Sequence, residues 1–331
     1  MTIDARRQSD ADMPVTAQRS GQSSVGDRVV NRMGYGCMKL TGPRIMGPPA
    51  DREAALAALR RAVELGVDHL DTSDLYGPRL VNELIREALH PYPGNLFIAT
   101  RVGARRTPDG GWTEALRPGE LRQEVQDNLD RLGLDVLDLV YLRMPGVGEL
   151  AEGSLAEPFG ALATLQQEGL IRHLGVCHVT TRQFAEARSI APVACVQNNY
   201  NLIHREDNPL IDTLARDGIA YTAMEGISYT TFFPRGGLTP LQSATLDRVA
   251  GRLGASPNQV VLAWLLARSP NLLLIPGASS VAHLEENLAA AALVLGPAEL
   301  KELDGIDGLG ESGSGASPRP HPPANVSGHR H

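Results

Sequence analysis

Cysteine is scarce in this 331-residue chain, which has only Cys37, Cys177 and Cys195. Odd in number and widely spaced, they exclude a disulfide framework and a cysteine-based metal knuckle. No uninterrupted apolar run reaches the roughly 20 residues that a membrane-spanning helix needs. The opening stretch M-T-I-D-A-R-R-Q-S-D has no apolar core of the kind a signal peptide carries. Basic residues are outnumbered, giving a net charge of -7, so neither a nucleic-acid footprint nor an anionic membrane surface is expected. Aromatics make up only 4%, and no G-x-G-x-x-G follows an expected strand, which disfavours a doubly wound dinucleotide fold. What these absences point to is a soluble, cytoplasmic protein, with no metal site expected. The tail histidines His321, His329 and His331 lack a rigid frame on which to hold a metal.

Hydrophobic residues, at 42%, are ample for a core, and 34 glycines suit a fold with many tight turns. Residues 1–27 and 310–331 are polar and aperiodic, so they read as a disordered leader and a disordered tail. Between them, over 28–309, one unit recurs: a short apolar run, then helical periodicity closed by glycine or proline. The expected strands are Arg28–Met38, Val67–Leu70, Leu96–Thr100, Leu137–Leu142, Ile171–Cys177, Val193–Gln197, Ile219–Ala223 and Leu272–Ile275. Eight such units predict a (β/α)8 TIM barrel, with the site at the C-terminal rim of the strands.

Polar residues gather at that rim. The second strand supplies Asp71 and Tyr76, the third Arg101, the fourth Arg143. The fifth supplies Cys177 and His178, the sixth Gln197, Asn198 and Asn199, the seventh Met224 and Glu225. A carboxylate and a phenol at such a mouth are placed for acid–base chemistry. The eighth strand runs through Gly277, Ala278, Ser279 and Ser280 into a helix, and free backbone N–H groups there make a phosphate site. A plain Ser N-cap is the alternative.

These segments resemble the aldo-keto reductase superfamily over roughly Arg28–Asp307. G-Y-G-C-M-K-L-T-G is similar to its first-strand signature, and D-T-S-D-L-Y-G to its Asp-Thr-Ala-x-x-Tyr-Gly motif. I-A-T-R-V, D-L-V-Y-L-R-M-P, I-R-H-L-G-V-C-H, Q-N-N-Y-N and I-P-G-A-S-S-V-A-H-L-E-E-N follow in family order, closest to the bacterial members that resemble pyridoxal reductase. The resemblance implies NADP(H) as cofactor and reduction of a small-molecule carbonyl, with Tyr76 giving the proton and Asp71 beside it. It also assigns the cofactor to Cys177, His178, Gln197, Met224, Gly277, Ser279, Ser280, His283, Glu286 and Asn287.

Two positions depart from the family pattern: Arg101 stands where a lysine is usual, and Arg143 where a histidine is. Arg101 is expected to pair with Asp71 through a bidentate fork and to pull the Tyr76 phenol below its ordinary pKa of about 10. Arg143 adds a permanent charge, so the pocket is expected to be positive and to favour a polar or anionic carbonyl substrate. An alternative keeps the barrel but uses Tyr76 as base in a non-redox elimination, epimerisation or cyclisation. A second alternative is a non-catalytic, NADP-binding regulatory protein.

Overall fold

The structure, a computed structural model, describes residues 15–107, 110–145, 150–224 and 238–306. It opens with a 3-10 turn, Ala17–Ser20, and an antiparallel hairpin of β1 (Gln22–Val25) and β2 (Arg28–Asn31). There follow β3 (Tyr35–Gly36), α1 (Arg52–Glu64), β4 (His69–Asp71), α2 (Leu80–Leu89) and β5 (Phe97–Val102). A second hairpin, β6 (Ala104–Arg106) with β7 (Trp112–Glu114), precedes α3 (Pro118–Leu132) and β8 (Leu137–Arg143). Next come α4 (Ala156–Gln167), β9 (Ile171–Cys177), α5 (Thr181–Ile190), β10 (Val193–Asn199), α6 (Asn208–Asp217) and β11 (Ala220–Met224). The last elements are α7 (Pro240–Leu253), α8 (Pro257–Arg268), β12 (Leu272–Leu274), α9 (Val281–Ala289) and α10 (Pro297–Asp304).

Eight parallel strands pair in the order β3-β4-β5-β8-β9-β10-β11-β12. The two edges meet where Met33 bridges to Leu274, with Gly34 N donating to the Leu274 carbonyl at 2.8 Å and Leu274 N to the Arg32 carbonyl at 2.8 Å. This is the expected barrel. Its glycines at the seam serve close approach: a Cβ on Gly36 would stand 2.3 Å from the Ile275 carbonyl oxygen. The caps follow from sequence in the same way. Asp51 accepts from Ala54 N at 2.9 Å to start α1, and α3 opens on Pro118 and stops at Gly133, which takes the left-handed conformation (φ 67°).

Two apolar clusters build the core. The larger lies between sheet and helices; the smaller fills the barrel interior with Phe97, Ala99, Leu139, Tyr141, Cys177, Cys195, Ala220 and Leu273. Val25 and Val30 of the N-terminal hairpin belong to that inner cluster, so the hairpin plugs one end of the barrel.

That plug corrects the expected boundary at residue 27, because Ala17–Val25 is built structure and not a disordered leader. It also corrects the first strand. Arg28–Asn31 pairs with Gln22–Val25 as the second strand of the hairpin, and the barrel strand is the shorter Tyr35–Gly36. The cause is a two-residue loop, Gly26-Asp27, in which Gly26 supplies the positive φ (61°) that such hairpins favour. The remaining expected elements appear with shifted ends, including a last helix that is Pro297–Asp304. Residues 1–14, the tail from 307 with its three histidines, and Glu225 with most of the Gly226–Leu238 loop lie outside the described residues.

Candidate active site

Strand alternation points Asp71, Arg101 and Gln197 to the inside of the barrel mouth, and the loop after β4 brings Tyr76 beside them. All four are buried, Asp71 at 3%, Tyr76 at 4%, Arg101 at 8% and Gln197 at 0% exposure. Arg101 divides its guanidinium between two partners. Nη2 donates to Asp71 Oδ1 and Nη1 donates to the Tyr76 hydroxyl oxygen. Gln197 Nε2 donates to Asp71 Oδ2 at 2.8 Å, and Cys177 Sγ donates to Gln197 Oε1 at 3.4 Å. The expected bidentate grip on Asp71 is therefore replaced by a bridge, because the phenol occupies the second arm.

The bridge decides which way Tyr76 is polarised. Its oxygen accepts from Arg101, which leaves its own proton to be given away. Burial pushes the phenol well above its ordinary value, and Arg101 and Arg143 only partly oppose that shift. The expectation of a lowered pKa is thus overturned: burial of the phenol opposes ionisation more than the two guanidinium groups favour it. Burial also works against the charge of Arg101, yet Asp71 and Tyr76 outweigh it and raise its pKa. Arg101 stays a cation.

Above this cluster lies a cavity of about 510 Å³, within the usual range for small-molecule sites. Arg143, the last residue of β8, lines it and stacks over Trp112 with its guanidinium carbon 5.6 Å from the ring centroid; Arg106 covers the same ring at 4.5 Å. Among the described residues, the charged lining consists of Lys39, Arg101 and Arg143 against Asp71, Glu206 and Asp207. Three cations meet three carboxylates, so the formally positive pocket expected from the rim is corrected to a balanced one. Glu206 and Asp207 come from a loop after β10 that carries no rim signal in the sequence.

The expected cofactor residues divide into two groups. His178, Met224, Gly277, His283 and Asn287 line the cavity. His178 does so from a left-handed backbone (φ 63°) unusual for its type. Cys177 and Gln197 sit behind it, next to Asp71. Ser279 and Glu286 are exposed, and neither they nor Ser280 line the cavity. The Ser280 hydroxyl accepts from His283 N at 3.3 Å and so caps α9. Lining residues that sequence reasoning missed include Lys39, Trp112, His204 and Asn258. Lys39 sits inside a quoted motif and could have been found. Asn258 is on α8 and reaches the cavity only through helix packing.

A cleft of this kind at the strand ends of a closed barrel, floored by a buried Asp–Arg–Tyr bridge, has the site architecture of a (β/α)8 barrel enzyme. The aldo/keto reductase family profile matches residues 32–308, and the chain belongs to that family of oxidoreductases. It is 55% identical to pyridoxine 4-dehydrogenase of Escherichia coli over 87% of this chain and 98% of that one. It is 39% identical to an uncharacterized oxidoreductase of Schizosaccharomyces pombe over 89% and 92%. Among solved structures, a thermostable aldo-keto reductase in complex with the inhibitor epalrestat is similar at TM-score 0.72 and 29% identity, covering 86% of this chain and 99% of that one. An aldo/keto reductase of Klebsiella pneumoniae, in complex with NADP and acetate, is similar at TM-score 0.67 and 25% identity over 83% and 91%.

Proposed function

We propose that this chain is an NADP(H)-dependent reductase of a small carbonyl compound, with a pyridoxal-type heteroaromatic aldehyde as the first candidate substrate. The observation that carries the proposal is the Tyr76 phenol, buried at the cavity floor with its oxygen accepting from Arg101 and its proton still to give. The substrate class rests on the pyridoxine 4-dehydrogenase of E. coli, similar to this chain over nearly its whole length.

The residues present fit the cofactor. Gly36 and Gly277 line the cavity and bring bare backbone to its wall, packed so closely that a Cβ on Gly277 would stand 2.7 Å from the Lys39 side chain and 3.1 Å from the Gly36 carbonyl. Asn258, His283 and Asn287 line that side of the cavity, with Met224 and His178 toward the floor. Met224 would offer a soft thioether face where the family pattern has an aromatic. When bound, NADPH supplies the hydride. The protein's part is to hold the carbonyl oxygen against Tyr76, give it the phenolic proton as negative charge develops, and steady the resulting charge with Arg101. Asp71 and Gln197 fix Arg101 in place.

Arg143 on Trp112 forms a local cationic, aromatic-backed edge that suits a flat ring bearing an oxyanion; in this form the preference for a polar or anionic substrate is kept, confined to one edge of the pocket. The alternative in which Tyr76 acts as a base loses its premise of a lowered phenol pKa, because burial shifts that pKa upward. The test is NADPH oxidation by the purified protein over a panel containing pyridoxal, benzaldehyde and a short aliphatic aldehyde. Turnover with preference for pyridoxal is expected. Tight NADPH binding with no oxidation over the whole panel would sink the proposal.

A further inference from the structure

Behind the active cluster, on the helix side of the sheet, lies a second polar group that the chemistry does not touch. Thr72 follows Asp71 and Thr100 precedes Arg101, so their side chains face away from the cavity. Thr72 Oγ1 donates to Asn82 Oδ1 at 2.8 Å, and Asn82 Nδ2 donates to Asn128 Oδ1 at 2.9 Å. Thr100 Oγ1 donates to the same Asn128 oxygen at 2.7 Å, and Asn128 Nδ2 donates to the Glu124 carbonyl at 2.8 Å. All four side chains are fully buried. In an otherwise apolar helix–sheet layer, valine and leucine would pack as well and leave no polar atoms to satisfy. What the polar set adds is a fixed distance between two strand ends.

The helix α3 holds the same two segments at further points. Glu124 Oε2 accepts from Gly103 N at 2.8 Å and its Oε1 from Arg105 Nε at 3.1 Å. Arg131 Nη1 donates to Asp74 Oδ2 at 2.5 Å, in the loop that leads to Tyr76. One helix therefore grips residues 100, 103 and 105 around Arg101, and residues 72 (through Asn82) and 74 between Asp71 and Tyr76. The Arg101 bridge requires that these two segments stay in register, because one guanidinium must reach both Asp71 and Tyr76.

We infer that α3 is the frame that sets the Tyr76–Arg101 contact, with Asn82, Asn128 and Arg131 as positioning residues. The inference rests on Tyr76 being the proton donor. Small displacements at a reacting centre are costly, while binding surfaces on the far side of the cavity are left alone.

The experiment measures steady-state NADPH oxidation with pyridoxal for Asn128→Ala, Arg131→Ala, Arg131→Lys and Tyr76→Phe, each normalised to the folded fraction. Asn128→Ala and Arg131→Ala should lower kcat by roughly a hundredfold with KM for both ligands unchanged within about twofold. Arg131→Lys, which keeps a cation for Asp74, should recover most of the loss. Should Asn128→Ala not fold, the combined Thr72→Val, Asn82→Leu, Thr100→Val and Asn128→Leu variant removes the whole network at similar volume and is expected to show the same kcat loss. Per-molecule kcat within about twofold of wild type in the folded variants, with Tyr76→Phe inactive, would overturn the positioning role alone. Full turnover by Tyr76→Phe would remove the proton-donor assignment and the inference with it.

Discussion

Replacing Arg101 by methionine tests the bridge at its centre. The substitution keeps the apolar stem and removes the charge that Asp71, at 3% exposure, faces inside the barrel. The Gln197 amide, at 2.8 Å from the other carboxylate oxygen, is then the partner that remains. Breaking a buried pair by removing one member costs about 3–5 kcal/mol, because the survivor is left charged without a counter-ion. For a chain of this size that corresponds to a fall in Tm on the order of 6–15 °C. Thermal unfolding of wild type, Arg101→Met, Asp71→Asn and the double variant gives the coupling directly, and the double variant should recover at least half the loss. A single-variant penalty below about 1 kcal/mol, the range of exposed ion pairs, would refute the claim that the bridge is buried and mutual.

Three more outcomes follow from particular contacts. Burial pushes the Glu124 carboxyl up to about 7, against the opposing pull of the Gly103 N–H and Arg105. An acid raised in the folded state stabilises fully below its unfolded value of 4.5 and loses that contribution as pH rises through 7. Stability should thus fall by at most about 3 kcal/mol over this window, and Glu124→Gln should flatten the slope in urea titrations at stepped pH; a slope of opposite sign would contradict it. Gly36→Ala puts a methyl 2.3 Å from the Ile275 carbonyl, so it should destabilise by about 1–3 kcal/mol and weaken NADPH binding in a fluorescence titration, whereas a neutral result would mean the seam is slack. Val30→Asp places a charge in the plugged barrel end, where Val30 is 1% exposed, and should lower urea stability by several kcal/mol, about as an unpaired buried charge does; wild-type stability would show the hairpin to be dispensable.

How much of this was legible beforehand depends on whether the signal was local. The strand–helix alternation, the Gly133 stop and the position of Asp71 at a strand end all come from short-range rules, and they hold. Arg101 and Arg143 were named from their strand ends and do reach the cavity. The N-terminal hairpin is hard to read although S-V-G-D-R-V contains a Gly-first two-residue loop, because the polarity of the surrounding residues masks it. Glu206, Asp207 and Asn258 could not be read from spacing, since their approach to the cavity depends on how the loop after β10 and helix α8 fold back over the mouth. The direction of the Tyr76 shift is not legible in the sequence for a related reason. Neighbouring charges can be guessed from a motif, but burial, which dominates here, is a property of the finished fold.

The most direct test of the proposed chemistry is a single-turnover comparison of wild type and Tyr76→Phe, both preloaded with NADPH and mixed with pyridoxal. The account predicts that both bind NADPH alike and that the phenylalanine variant transfers hydride slower by roughly 10²–10⁴-fold, the usual worth of a general acid. Hydride transfer by Tyr76→Phe at the wild-type rate would contradict it.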